Sequence, residues 1–153
     1  LINVMILEGH PDKNIFSLLY QSLAALNQQT KLESLRGLFE IRLLTLSGYK
    51  PQLENCVLCR RVPNNSMLLF NYSHNGILCT ACSSRTRIDT QFSTGTRNYI
   101  KKLLEVEIKS CERLKFSKSQ TDEIEKMTHR LMLSHLGREL KSFPFIKQMA
   151  ELV

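Results

Sequence analysis

Cys56-Val57-Leu58-Cys59, a gap of nineteen residues, then Cys79-Thr80-Ala81-Cys82: these two C-x2-C turns decide how the chain is read. Two thiolates three positions apart in a tight turn reach one tetrahedral ion, and a second such turn closes the shell. The separation matches a four-thiolate zinc site. A closed shell leaves no position for water or substrate, so the expected role of zinc is structural. Two disulfides, or four buried thiols, would use the same residues.

Between and beside these turns, residues 51–88 change character. Pro63, Asn64, Asn65 and Gly76 punctuate two short apolar runs, Met67 to Tyr72 and Ile77 to Leu78. They read as a β-hairpin between the cysteine turns, forming a small zinc ribbon or finger. So small a module has little core, and the metal is expected to hold it together. His74 lies inside it and is an alternative ligand to one cysteine.

The flanking sequence is helical. Ile15, Phe16, Leu18, Leu19, Leu23 and Leu26 recur at intervals of three and four, with Pro11-Asp12 as a break and cap. A second helix is predicted from Leu32 to Leu46, with Leu32, Leu35, Leu38, Phe39, Leu43 and Leu46 inward. Ile41 and Leu44 widen its stripe, which implies packing on more than one side. Gly48 and Pro51 stop it. After Thr90 the helical pattern returns, capped by Ser93 or Thr94 and carrying Tyr99, Leu103, Leu104 and Ile108. Ser119 and Asp122 resemble a capping box ahead of Ile124, Met127, Leu131 and Leu136, with Gly137 as the stop. Ser142 caps a last short helix through Ala150. The expected fold class is therefore mainly α: a helical bundle with an inserted small zinc ribbon or finger containing a short β-hairpin.

Composition narrows the function classes. The chain has 153 residues, 42% of them hydrophobic, enough for one real core. No apolar run is long enough to span a bilayer, and the opening LINVMIL lacks the basic flank and cleavage site of a signal peptide. Cys111 is left over as a fifth, lone thiol, which fits a reducing, cytoplasmic compartment and no membrane partner. The chain opens on Leu1 rather than Met, as expected of a sequence that starts midway or has been trimmed. With 21 basic against 14 acidic residues the net charge is +7, consistent with an anionic partner. Arg60 and Arg61 follow the first cysteine pair, and Arg85 and Arg87 follow the second; these four are the candidate DNA-phosphate contacts. Lys109, Arg113, Lys115 and Lys118 form a second basic group.

No enzymatic constellation accompanies them. The six glycines are scattered singly, and neither H-E-x-x-H nor an H-x-E element occurs. The remaining histidines, His10, His129 and His135, show no ligand spacing. The chain is expected not to be an enzyme.

The segment Leu38-Phe39-Glu40-Ile41-Arg42-Leu43-Leu44-Thr45-Leu46-Ser47-Gly48-Tyr49-Lys50-Pro51-Gln52-Leu53 before Cys56-x-x-Cys59 resembles the bacterial recombination mediator family RecO. That family shows F-E-x-R-L-L-x-x-x-G-Y-x-P-x-L ahead of a C-x-x-C. The resemblance continues at Gly76-Ile77-Leu78-Cys79-x-x-Cys82 and at His135-Leu136-Gly137-Arg138-Glu139-Leu140-Lys141-Ser142-Phe143-Pro144-Phe145, similar to its H-L-G-R-x-L-K-S-x-x-F signature. It implies that residues 1–153 are the helical C-terminal part, with residues 51–88 the zinc insert and the family's N-terminal OB-fold domain absent. It implies binding of single- and double-stranded DNA, strand annealing, and recombinase loading with RecR and the acidic C-terminal tail of single-strand-binding protein. It also implies a bacterial, nucleoid-associated location and no covalent catalysis. Many zinc-bearing members have Gly after the second cysteine, where this chain has Arg60; some members lack the cysteines, which favours a structural metal. The rival reading is a zinc-ribbon module that docks other proteins without binding DNA.

Overall fold

In the computed structural model, residues 12–26 and 32–136 are described. The opening apolar run, His10, the Gly137 stop and the helix expected over Ser142–Ala150 lie outside them. The first helix, α1 (Lys13–Leu26), starts where the sequence places it. Asp12 Oδ1 accepts from the amides of Asn14 at 2.8 Å and Ile15 at 3.2 Å, satisfying two of the unpaired donors of the first turn. Its buried stripe is Ile15, Leu18, Ser22 and Ala25. This differs from the predicted face: Phe16, Leu23 and Leu26 are exposed. The helix is apolar around most of its circumference, and the periodicity does not say which side meets α2. Ser22 is accommodated because its hydroxyl donates to the Leu18 carbonyl at 2.7 Å.

Helix α2 (Leu32–Leu46) is the centre of the molecule. Leu38, Ile41, Leu43 and Leu44 are fully buried, a spread wider than one stripe, as expected of a helix covered on several sides. Leu32 and Leu46, expected inward, stand exposed at its two ends. Gly48 adopts φ +87°. The Tyr49 amide reaches back to the Leu44 carbonyl at 2.7 Å and the Gly48 amide to Thr45 at 3.1 Å, the paired bonds of a Schellman stop.

Three strands follow: β1 (Met67–Asn71), β2 (Gly76–Leu78) and β3 (Thr90–Ser93), antiparallel in the order β2-β1-β3. The first two are the predicted hairpin. The third falls where the helical pattern was expected to resume, because four residues carrying one large apolar side chain show no alternation. Alternation along β1 divides the sheet into two faces. Leu68 and Phe70 point one way, opposite Phe92 and Ile77, and join the core of the helices. Leu69 points the other way, opposite Leu78, and packs towards Cys56, Cys79 and Cys82. The sheet is thus not left to the cysteine cluster alone: one face rests on the shared core.

A short helical turn, α3 (Thr80–Ser83), carries the second cysteine pair. Helix α4 (Thr94–Glu105) follows β3 directly, and the Ser93 side chain accepts from the Thr96 amide, as its sequence position suggested. At its far end Arg42 of α2 donates to the carbonyls of Leu103, at 2.9 Å, and of Val106. A cation at this end is favoured by the exposed carbonyls. A 3₁₀ turn (Ile108–Arg113) leads to α5 (Lys118–Leu136). The capping box is not Ser119 with Asp122 but Ser117 with Gln120: the Ser117 amide donates to Gln120 Oε1 at 2.9 Å, and the Gln120 amide to Ser117 Oγ at 3.3 Å. Both readings satisfy the same spacing rule. With Ser117 as the cap the helix begins at Lys118, two positions before a Ser119 cap would allow.

Buried Glu40 ties α2 to α5. It accepts from Arg36 Nε at 2.9 Å and from the Thr128 hydroxyl at 2.5 Å, while Arg36 Nη2 also reaches Glu125 at 3.1 Å. Every charge in this group is paired, which is what allows a carboxylate to lie inside. No helix among the described residues is long and apolar enough to cross a membrane.

Candidate metal centre

The first cysteine turn is built by backbone bonds that fold the chain onto itself. The Arg60 amide donates to the Cys56 carbonyl at 2.9 Å, and the Cys56 amide to the Arg61 carbonyl at 2.8 Å. Closing so tight a knuckle drives Arg60 into the left-handed region, φ +65°. That is where a glycine would sit without strain, so the knuckle keeps its shape despite the arginine. The second turn is the start of α3, where the amides of Cys82 and Ser83 converge on the Cys79 carbonyl at 3.1 and 3.0 Å.

The sheet brings the turns together. The Val57 amide, inside the first cysteine pair, donates at 2.9 Å to the carbonyl of Ile77, two residues before the second pair. Gln52 forms a parallel bridge with Gly76, its carbonyl accepting from the Ile77 amide at 3.0 Å. A Cβ on Gly76 would lie 2.2 Å from Val57 Cγ1 and 2.9 Å from Gln52 Cβ. Gly76→Ala is therefore expected to push the first knuckle off the sheet and to destabilise the chain by about 1–3 kcal/mol, the cost of overpacking. A urea titration reads the destabilisation; an unchanged midpoint would show that Val57 yields freely.

All four cysteine sulfurs lie within 4.8 Å of one another, and Cys59 Sγ is 3.5 Å from Cys79 Sγ. A tetrahedral ion with metal–sulfur bonds of about 2.3 Å needs sulfurs about 3.8 Å apart. The cluster fits. No disulfide joins any of the five cysteines, all of which are described. Burial alone would raise the Cys56 thiol, yet the amides of Cys59, Cys79 and Leu58 outweigh it and bring it down to about 6. The Cys82 thiol is pushed up to about 12, foremost by its hydrogen bond to Cys79. Sulfurs this close share protons because they cannot all ionise together, and a central cation removes that conflict. The four residues could hold a metal ion.

The other candidates separate. His74 is not part of the cluster: its amide and its Nδ1 both meet Asn71 Oδ1, at 2.7 and 2.8 Å. Buried Asn71 also donates to the Arg87 carbonyl at 2.8 Å and so pins the hairpin turn to the segment before β3. The sequence offers Asn71 only as the start of an N-x-S triplet, Asn71-Tyr72-Ser73, which does not point to this role. Arg60, Arg61 and Arg85 are exposed on the two cysteine turns. Arg87 is exposed too, but its Nε is paired with Asp89 at 2.9 Å, and Asp89 in turn accepts from the Tyr72 amide at 2.8 Å. In the second basic group Lys109 is paired with Glu107 at 3.1 Å, and Arg113, Lys115 and Lys118 are exposed. Cys111 is fully buried, away from the cluster. His135 is stacked on Tyr49 at 3.8 Å, and burial lowers its pKa.

Known proteins resemble this chain along most of its length. Residues 1–144 match the family described as "Recombination protein O C terminal". A DNA repair protein RecO of Desulforamulus reducens is 31% identical over 149 residues, covering 97% of this chain and 58% of that protein. A second, from Desulfatibacillum aliphaticivorans, is 30% identical over 146 residues, covering 93% of this chain and 57% of that protein. A third, from Enterococcus faecalis, is 28% identical over 154 residues, covering 97% and 56%. The chain thus spans less than two thirds of the length of these curated relatives. No solved structure matches.

Proposed function

This chain belongs to the recombination protein O family, and from that membership we propose that it is a non-enzymatic mediator of DNA repair and homologous recombination. The observation that carries the reading is the family match over residues 1–144. In this reading residues 1–153 act as the helical C-terminal part of a RecO protein and residues 51–88 as its metal-stabilised insert. Its partners are single- and double-stranded DNA, RecR, and the acidic tail of single-strand-binding protein, and its work is strand annealing and recombinase loading. The metal is zinc, held by Cys56, Cys59, Cys79 and Cys82. Four thiolates in tetrahedral reach select zinc by softness and geometry, and a shell closed by protein sulfur has no place for a substrate. When bound, zinc supplies structure rather than chemistry.

Arg60, Arg61, Arg85 and Arg87 are proposed to contact phosphate. Exposure on two turns that the metal holds together supports this, since fixed guanidinium groups suit bidentate contact. Arg60→Gly with Arg61→Ala removes two charges without new strain, glycine being at ease at φ +65°. Binding to duplexes of unrelated sequence should weaken equally. The slope of log affinity against log salt should flatten by about one for each phosphate no longer neutralised. Fluorescence anisotropy across salt concentrations measures it. An unchanged slope moves the DNA-binding surface to the second basic group, and no DNA binding at low salt favours a module that docks proteins alone.

A further inference from the structure

The cluster is unevenly covered. Cys56 is 0% exposed and Cys79 9%, whereas Cys59 stands exposed at the end of the first knuckle. Its sulfur is 3.5 Å from that of Cys79, on the opposite turn. A small polar oxidant arriving from water meets Cys59 and then finds a second thiolate within van der Waals contact. We propose that Cys59 is a site of peroxide modification and Cys79 its resolving partner, so that oxidation closes a reversible disulfide across the two turns and releases the metal. This rests on the reading of the cluster as a zinc site.

The step balances. The Cys59 thiolate donates an electron pair to one oxygen of hydrogen peroxide; the O–O bond breaks, an S–O bond forms, and hydroxide leaves. The Cys79 thiolate then attacks the Cys59 sulfenic sulfur, an S–S bond forms, and a second hydroxide leaves. Two thiolates lose two electrons, and one peroxide gains them. A thiol reductant reverses the second bond. The disulfide joins the same two turns that the metal joins, so the sheet beneath them keeps its pairing while the metal is lost. Buried Cys111 provides an internal control on reactivity.

The test uses the full chain loaded with zinc, its content first measured by atomic emission. Hydrogen peroxide is added, zinc release is followed with a chromogenic chelator, and disulfides are mapped by peptide mass spectrometry. The expected result is release of the bound zinc together with a Cys59–Cys79 bridge as the first cross-link, both reversed by dithiothreitol and zinc. In Cys111→Ser the course should be unchanged. In Cys59→Ser, compared with the native chain after both are stripped of metal, sulfenic-acid labelling of the cluster should slow by about threefold or more, because Cys56 and Cys79 are buried and Cys82 is only partly exposed. Should Cys59→Ser fail to fold, the mapping in the native chain decides alone. Bound zinc that survives peroxide, or first bridges that do not contain Cys59, would overturn the proposal and leave the zinc reading intact. A chain that takes up no zinc would overturn both.

Discussion

Cys56→Ser is expected to abolish stoichiometric metal binding and to unlock the two cysteine turns while leaving the helices folded. Cys56 is fully buried, and its amide and carbonyl both close the knuckle, so this position combines ligand and scaffold. Structural zinc contributes on the order of 10–16 kcal/mol in small finger modules. Here the effect should be local. Among the described residues, the buried hydrophobic cluster on the cysteine side of the sheet is Cys56, Leu78 and Cys79, with Val57, Leu69 and Cys82 against them. The helical side belongs to the main core, which does not need the ion. Amide hydrogen exchange should therefore rise at Val57, Arg60, Cys82 and Ser83, while Leu38 to Leu44 and Met127 to Leu131 keep their protection. Uniform loss of protection across the helices would show that the metal supports the whole core. Unchanged protection at the turns would show that the backbone bonds suffice without it.

Phe70→Ala should have the second large effect, of a different kind. Phe70 is fully buried on the inner face of β1, with Phe92 at 5.8 Å and Tyr72 at 5.4 Å between ring centres. With Phe92 it is one of the two largest fully buried side chains among the described residues, both on the face that joins sheet to helices. Truncation removes its transfer energy and leaves a cavity, a combined cost of about 3–5 kcal/mol. For a chain of this size that corresponds to a fall in Tm of roughly 6–20 °C. Metal affinity should change far less, because Phe70 faces away from the cysteines. Leu69→Ala, one residue earlier and on the other face, should do the reverse: a smaller drop in global stability and a weaker metal site. Urea unfolding and competitive zinc titration on the two variants separate the effects. If Phe70→Ala weakened the metal as much as Leu69→Ala, the two faces would not be independent.

The sequence alone determined what depends on near neighbours. The two C-x2-C turns name the four cysteines that could hold a metal ion because each pair's geometry is local, and only the closing of one turn on the other needs the fold. Helix α2 was legible end to end: its apolar residues recur at helical spacing, and Gly48 supplies the positive φ that a Schellman stop requires. The hairpin was legible because two apolar runs flank a turn-forming segment.

Tertiary structure decided everything that depends on which of several equivalent local choices meets a distant partner. Residues Thr90–Ser93 became a strand because β1 offers an unpaired edge to them, a fact held by residues 20 to 26 positions earlier. Helix α1 could have buried Phe16 and Leu23, but buries Ile15 and Leu18, since packing on α2 selects one face of a helix that is apolar on most sides. Two capping boxes fit the start of α5, and Ser117 with Gln120 forms. Arg87 reads as an unpaired cation until Asp89 is placed against its Nε. Gly76 reads as a turn residue until Val57 is found where its side chain would be. For the strand and the buried face of α1 the local preferences differ by about a kcal/mol or less, while burial of one apolar side chain is worth about 1.5–3 kcal/mol, so the packing partner decides.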